Sequence, residues 1–206
     1  MILKEIYERG LKMDKKEVIE FFDKQAPTWD ERMVRNENAI ATILYLGGVH
    51  EGCDVLDVAC GTGVLFNDYL KLGVNSVTGV DISPEMVRIA KANYNDSKIE
   101  VICADIEEKH FDKQFDVCMI YNAFPHFTNY DSLIEHMASL TKKGGRFTVA
   151  HGMSREDLHI HHSGQAVKVS LDLPDLTELS AMFSLDFDVD CCISNNEMYM
   201  VSGTRR

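Results

Sequence analysis

The sequence is short of positive charge. Its 206 residues carry 21 Lys and Arg against 33 Asp and Glu, a formal net charge of -12. DNA, bulk RNA and anionic membrane surfaces all need Lys and Arg to neutralise phosphates, so this balance argues against them as partners. Long hydrophobic runs are also missing, and no stretch is apolar enough for long enough to span a bilayer. The N-terminus mixes Lys4, Glu5, Glu8 and Arg9 and lacks the apolar core of a secretion signal. Six cysteines, at positions 53, 60, 103, 118, 191 and 192, form no C-x-x-C pair. Several lie in strand-like apolar runs and read as reduced, buried thiols, so the expected setting is the cytoplasm. Internal repeats and low-complexity segments are absent, and tryptophan occurs once, at Trp29.

What is there suffices for one well-cored domain, with 45% hydrophobic and 26% charged residues. The chain is organised around Val55-Leu56-Asp57-Val58-Ala59-Cys60-Gly61-Thr62-Gly63-Val64-Leu65. Val55 to Val58 reads as a short buried strand, followed by a glycine turn and a helix start. That order places backbone N–H groups beside a ligand. The dinucleotide fingerprint G-x-G-x-x-G would need a third glycine where Phe66 stands. A phosphate near Asp57 would meet a carboxylate, so a ligand with an ammonium group and no phosphate suits the loop better.

Strands and helices then alternate. Strands are expected over 76–81, 99–104, 115–121 and 146–150. Helices are expected from Ser83-Pro84 to about Asn93 and from Ser132 to Leu140. Such alternation implies right-handed crossovers and a parallel sheet. Residues 1–50 read as helical, with a break at Ala26-Pro27-Thr28-Trp29 and a second helix from about Arg32 to Leu46. Near the C-terminus a helix over 176–183 precedes two strand-like runs, 187–194 and 197–204. The Asn195-Asn196 link, which tolerates the positive φ of a tight turn, makes the two runs antiparallel.

The stretch 55–65 resembles motif I of the class I S-adenosylmethionine (SAM) dependent methyltransferases, a hydrophobic strand and acidic residue followed by G-x-G. Phe22-Asp23-Lys24-Gln25-Ala26-Pro27-Thr28-Trp29-Asp30 is similar to the segment before motif I in menaquinone-type and related small-molecule methyltransferases, where it lies as a lid over the SAM pocket. The resemblance implies a Rossmann-like α/β fold. Its sheet would be mostly parallel and seven-stranded, closed by a C-terminal antiparallel hairpin, with helices on both faces. One domain would span 1–206, with a helical lid over 1–50, a SAM-binding core over 51–150 and a substrate-side segment and hairpin over 151–206. It also implies SAM as cofactor and S-adenosylhomocysteine as product. Asp57, Ala59, Gly61 and Gly63 would belong to the loop. Asp81 would take the ribose hydroxyls, between Ile82 and Met86 as apolar walls, and Asp105 with Ile106 would contact adenine. Tyr121 and Asn122 would meet the methionine part.

On the acceptor side, His126 and His151 follow the fourth and fifth strands and are the candidate general bases. Ser154 is expected to cap a short helix carrying Arg155 to His162. There His159 pairs with His162 at helical spacing, as Asp157 does with His161. His159, His161, His162 and Trp29 are the candidate substrate contacts. His126, His151, His159 and His162 together would suit a divalent metal, but no metal is assigned. The expected activity is methyl transfer to oxygen, nitrogen or sulfur of a small molecule. A catalytically silent SAM-binding protein and a nucleotide-dependent oxidoreductase stand as alternatives, and a homodimer stays open.

Overall fold

The computed structural model describes residues 13–162 and 168–206, and for positions 161 and 162 the backbone alone. The expectation of helix over residues 1–12 lies outside these. Five strands, β1 (Asp54–Val58), β2 (Ser76–Asp81), β3 (Ile99–Cys103), β4 (Phe115–Tyr121) and β5 (Thr141–His151), pair in parallel in the order β3-β2-β1-β4-β5. β6 (Phe187–Ser194) and β7 (Tyr199–Arg205) complete a seven-stranded sheet. The last strand folds back between the others: β7 runs antiparallel to both β5 and β6.

The central strands β1, β2 and β4 are buried on both sides, and their side chains alternate between two cores, whereas β3 at the sheet edge buries only Val101. In β4, Cys118 and Ile120 face a core with α6 (Tyr130–Leu140) and α8 (Leu176–Phe183). Val117 and Met119 face the other, which holds α3 (Glu37–Leu46), α4 (Phe66–Lys71) and α5 (Pro84–Asn93). α7 (Arg155–His162) leads off the end of β5. β6, at the other sheet edge, buries only Phe187 and otherwise alternates half-buried and exposed residues.

Several boundaries differ from expectation for local reasons. The chain does not leave the helical region at Pro27. α1 (Lys15–Gln25) runs into a 3-10 turn, Ala26–Thr28, in which Pro27 occupies an early position where its missing N–H costs nothing, and α2 (Trp29–Arg32) follows. α3 begins at Glu37 rather than near Arg32, because the Asn36 side chain accepts from the Ala39 N–H at 3.1 Å and starts a new helix there. β5 starts earlier than expected, at Thr141, past an irregularity in its pairing with β4. The hairpin does not use a positive φ at Asn195 or Asn196. Instead the Asn195 side chain accepts the Glu197 and Met198 N–H groups, each at 2.9 Å, and its own N–H donates to Met198 O. Among the described residues no helix is long and apolar enough to cross a membrane, and all six cysteines are free.

Candidate active site

The C-terminal ends of β1, β2 and β4, with the turn after β3, open on one cavity of about 570 Å³. Crossover connections leave this edge of a parallel sheet free for a ligand. The turn after β1 is shaped by its residue types. Ala59 and Gly61 hold φ of 55° and 56°. Nothing lies within 4 Å of where a Cβ on Gly61 would stand, so its main chain is bare toward the cavity it lines.

Gly63 serves another purpose and is not on the cavity wall. A Cβ there would stand 2.6 Å from the Phe66 ring and 2.8 Å from Tyr94, and one on Gly79 would stand 2.6 Å from Phe66. Phe66 is fully buried and fills the space a dinucleotide loop keeps clear with its third glycine. The turn therefore packs around an aromatic ring, which the oxidoreductase alternative does not accommodate.

Asp81 ends β2 and is buried. Its carboxylate accepts the Gly61 N–H at 2.8 Å and the Ser83 N–H at 2.9 Å. Burial nevertheless raises its pKa from 3.8 to about 6, and the charge of Asp23 adds to the rise while the two N–H bonds oppose it. Ile82 and Met86 stand beside it on the cavity wall, with Asp105 and Ile106 from the next strand end and Tyr121 and Asn122 from β4. Asn122 adopts φ 56°, and its side-chain oxygen accepts the Gly152 N–H at 2.9 Å, joining the ends of β4 and β5. The wall thus offers carboxylate acceptors, bare backbone and apolar faces. That set fits a cationic nucleoside carrying a diol, and it fits a pyrophosphate poorly.

Asp57 departs from expectation. It is buried and absent from the cavity wall, and burial, then the charge of Asp81, pushes its carboxyl well above the usual carboxylate range. Its role as a charge facing the ligand is therefore corrected: it is a buried group off the cavity wall, where burial favours its protonated form.

Side chains from the N-terminal segment close the cavity, and the sequence reading missed most of them. Lys15 of α1 bonds Asp105 and reaches Glu107 at 2.9 Å, and these partners raise the lysine pKa against the effect of burial. Asp23 accepts the Ser83 hydroxyl at 2.5 Å and the Glu85 N–H at 3.1 Å, and Asp30 accepts the Thr62 hydroxyl at 2.5 Å. Arg35 bonds the Val64 carbonyl and pairs with Asp68 at 2.8 Å. One strap thus touches the turns after β1, β2 and β3 in turn. The only signal for it was the family-like stretch 22–30, whose Asp23 and Asp30 are the anchoring side chains.

The histidines separate. His126, in the 3-10 turn Phe124–His126, lines the cavity. Its Nδ1 lies 2.7 Å from the Val169 carbonyl, which can only accept, and 3.2 Å from the Ser170 hydroxyl. Nδ1 therefore carries the proton and Nε2 is the basic nitrogen. Burial lowers its pKa from 6.5, the Val169 carbonyl opposing, so it is neutral at pH 7. Phe22 meets its ring edge-on at 4.9 Å, and Trp29 meets Phe22 at 5.8 Å. Trp29 is half-buried and lines the same cavity.

His151 is corrected from candidate base to core residue. It is fully buried, lies against the Tyr199 ring at 6.2 Å and is not part of the cavity wall. His159 is likewise off the wall, 74% exposed and 3.7 Å from an Asp172 oxygen. The side chains of His161 and His162 lie outside the described residues. The candidate metal set is not brought together, and among the described residues no group of three His, Cys, Asp or Glu could hold a metal ion.

Residues 55–145 match the methyltransferase domain family. The chain is 26% identical over 165 residues to the malonyl-[acyl-carrier protein] O-methyltransferase of Acetivibrio thermocellus, covering 78% of this chain and 58% of that protein. It is 31% identical over 137 residues to the ubiquinone biosynthesis O-methyltransferase of Shewanella pealeana, covering 60% and 57%. The chain thus spans somewhat under three fifths of the length of these two relatives. A Haloferax volcanii methyltransferase in complex with the Trm112 activator shares the fold, with a TM-score of 0.74 at 19% identity over 89% of this chain and 97% of that one. So does magnesium protoporphyrin IX methyltransferase from Synechocystis with bound S-adenosylhomocysteine, with a TM-score of 0.71 at 16% identity over 93% and 99%. The matched stretch lies over the glycine turn and the strand ends that line the cavity, so residues 55–145 are similar to a methyltransferase domain and the chain shares the fold of these methyltransferases.

Proposed function

We propose that this chain transfers the methyl group of SAM to an oxygen atom of a small-molecule acceptor, with His126 as the base. The observation that carries the reading is the one cavity whose wall holds Asp81, Asp105 and the bare Gly61 turn together with the tautomerically fixed His126. Both curated relatives named above are O-methyltransferases, which favours oxygen over nitrogen and sulfur.

Ala59, Gly61, Asp81, Ile82, Met86, Asp105, Ile106, Tyr121 and Asn122 hold the cofactor in this reading. Asp81 accepts both ribose hydroxyls, Ile82, Met86 and Ile106 enclose adenine, and Asp105 accepts its exocyclic amine. The sulfonium of bound SAM supplies an already activated methyl group. The chain's remaining tasks are alignment and removal of one proton. Neutral His126 receives the acceptor hydroxyl proton at Nε2, with the Val169 carbonyl stabilising the resulting imidazolium through Nδ1–H. The strap of residues 14–35 covers the site and excludes water.

Calorimetric titration with S-adenosylhomocysteine, with NADH as comparison, tests the reading. Micromolar binding of the first and none of the second supports it. The reverse result removes the transferase reading together with its site assignments.

A further inference from the structure

The strap and the turn after β3 meet in a cluster of charge that the proposed chemistry leaves unused. Lys15, Asp105 and Glu107 all line the cavity. Asp105 and Glu107 stand two residues apart on one turn, with side chains only 19% and 15% exposed. Two carboxylates so close and so shielded from water repel each other, and each gains by turning out toward solvent. A cation from elsewhere in the chain keeps both on the wall.

Lys15 supplies it. Its Nζ bonds Asp105 Oδ2 and lies 2.9 Å from Glu107 Oε2. The second oxygen of each carboxylate is held as well. Asp105 Oδ1 accepts the Glu107 N–H at 3.0 Å, and Glu107 Oε1 accepts the Thr128 hydroxyl at 3.5 Å. Burial works against the ammonium, but its bonds to the two carboxylates outweigh burial and raise its pKa above 10.5, so Lys15 is charged at neutral pH. The lysine backbone is itself anchored. It opens α1, where the Asp14 side chain accepts the Lys16 N–H at 2.9 Å, and Met13 and Val18 on either side of it are buried in the core.

A carboxylate has about four lone-pair sites on its two oxygens. Asp105 uses one on each oxygen, for Lys15 and for the Glu107 N–H, which leaves one on each for a donor in the cavity. Lys15 thus fixes the direction of the carboxylate without consuming its capacity to accept. A carboxylate free to swing would bond water instead, and a ligand amine would have to displace that water.

We infer that Lys15 is a positioning residue for the base of the cofactor: from the strap it clamps Asp105 and Glu107 so that the Asp105 carboxylate meets the exocyclic amine. This rests on the methyl-transfer reading above and on the place given there to Asp105. Selectivity for the base is then set from outside the sheet, by the first residue of α1, and a strap that lifts takes the clamp with it.

Calorimetry on the full chain, with S-adenosylhomocysteine and with its 6-deamino analogue, in which hydrogen replaces the amine of the base, tests the clamp. The unaltered chain should prefer S-adenosylhomocysteine by about tenfold or more, as expected for a bond to a charged group. Lys15→Met should cut that preference to within about twofold, because the Asp105 carboxylate is no longer held and its bond to the amine competes with water. Asp30→Ala, which loosens the strap at Thr62 without touching Asp105, should weaken both ligands alike and leave the preference intact. A preference that survives Lys15→Met, or that Asp30→Ala abolishes as well, overturns the inference. So does a Lys15→Met chain that binds neither ligand or no longer unfolds cooperatively, since either result marks a prop for the fold and not for the base. Equal binding of the two ligands by the unaltered chain overturns it too, while the methyl-transfer reading stands. If the unaltered chain binds neither ligand, the methyl-transfer reading itself fails and the role of Lys15 falls with it.

Discussion

The acidic side and the aromatic side of the cavity are built on different principles. On the acidic side polar groups are tied down individually: Asp81 to the Gly61 and Ser83 N–H groups, Asp105 to Lys15, Asp23 to Ser83 and Glu85. On the aromatic side aromatic and aliphatic side chains surround His126, whose ring is oriented by the Val169 carbonyl and the Ser170 hydroxyl. In the proposed function the acidic side holds the cofactor, whose hydroxyls and amine reward fixed partners, and the aromatic side receives the acceptor. Substitutions should therefore separate cleanly, with changes on one side moving affinity for S-adenosylhomocysteine and changes on the other moving turnover.

The largest separation is expected at His126. His126→Gln removes the proposed base without emptying the wall, and turnover should fall by about 10²–10⁴-fold while calorimetric affinity for S-adenosylhomocysteine stays within about twofold. A parallel loss of both would mean that the histidine supports the whole cavity, and the two-sided division would fail.

Asp81→Asn is the counterpart on the other side. In the proposed function it weakens the two hydrogen bonds assigned to the ribose, and affinity for S-adenosylhomocysteine should drop by about a hundredfold, since a bond to a charged group contributes about 1.5–3 kcal/mol. Turnover at saturating cofactor should change far less.

Gly63→Ala tests the packing beneath both sides. With φ of 88° and a Cβ driven to 2.6 Å from Phe66, it should destabilise the fold by about 2–4 kcal/mol in denaturant unfolding. A neutral result would show that the Phe66 ring yields freely.

The pH dependence sharpens the comparison further. Burial lifts Asp81 from 3.8 in the unfolded chain to about 6 in the folded one. The folded protein thus binds that proton more tightly, and the associated stability is fully present below pH 3.8 and lost as the pH rises through about 6. Cofactor binding runs the opposite way, because the ionised carboxylate is the better acceptor. Affinity for S-adenosylhomocysteine should fall by up to about tenfold per unit as the pH drops below 6. Asp81→Asn should flatten that profile. The charged group that bears on Asp81 is Asp23, which raises its pKa further, while the backbone N–H groups of Ser83 and Gly61 oppose the rise.

Asp30→Ala should have the smallest effect. It removes the strap's bond to Thr62, and release of S-adenosylhomocysteine measured by stopped flow should quicken by a few fold, as expected for one partly exposed hydrogen bond. No change would mean that Arg35 and Asp23 hold the strap by themselves.

How far these features were legible depended on how local their causes are. The strand limits 76–81 and 115–121, the Ser83 cap and the helix 176–183 follow from runs of a few neighbouring residues, and the structure has them where the pattern puts them. The start of α3 was misread because the capping strength of Asn36 is a single side-chain bond set against a continuous helical pattern. His151 and His126 look alike in sequence, each at a strand end. Their environments differ only through partners far along the chain, Tyr199 for one and Val169 for the other. The His159–His162 face likewise carried no sign that His159 would project beside Asp172 rather than into the cavity.

By itself the sequence determined the alternation of strands and helices, the glycine turn after β1 and the acids at the ends of β2 and β3. Hydrophobic period, turn chemistry and strand-end position are short-range properties. Only the tertiary structure decided that β7 lies between β5 and β6, that Asp57 is buried off the cavity wall, and that His126 rather than His151 or His159 lines the cavity. Each of those outcomes depends on burial among residues distant in the chain, and burial is a property that no short stretch of sequence possesses alone.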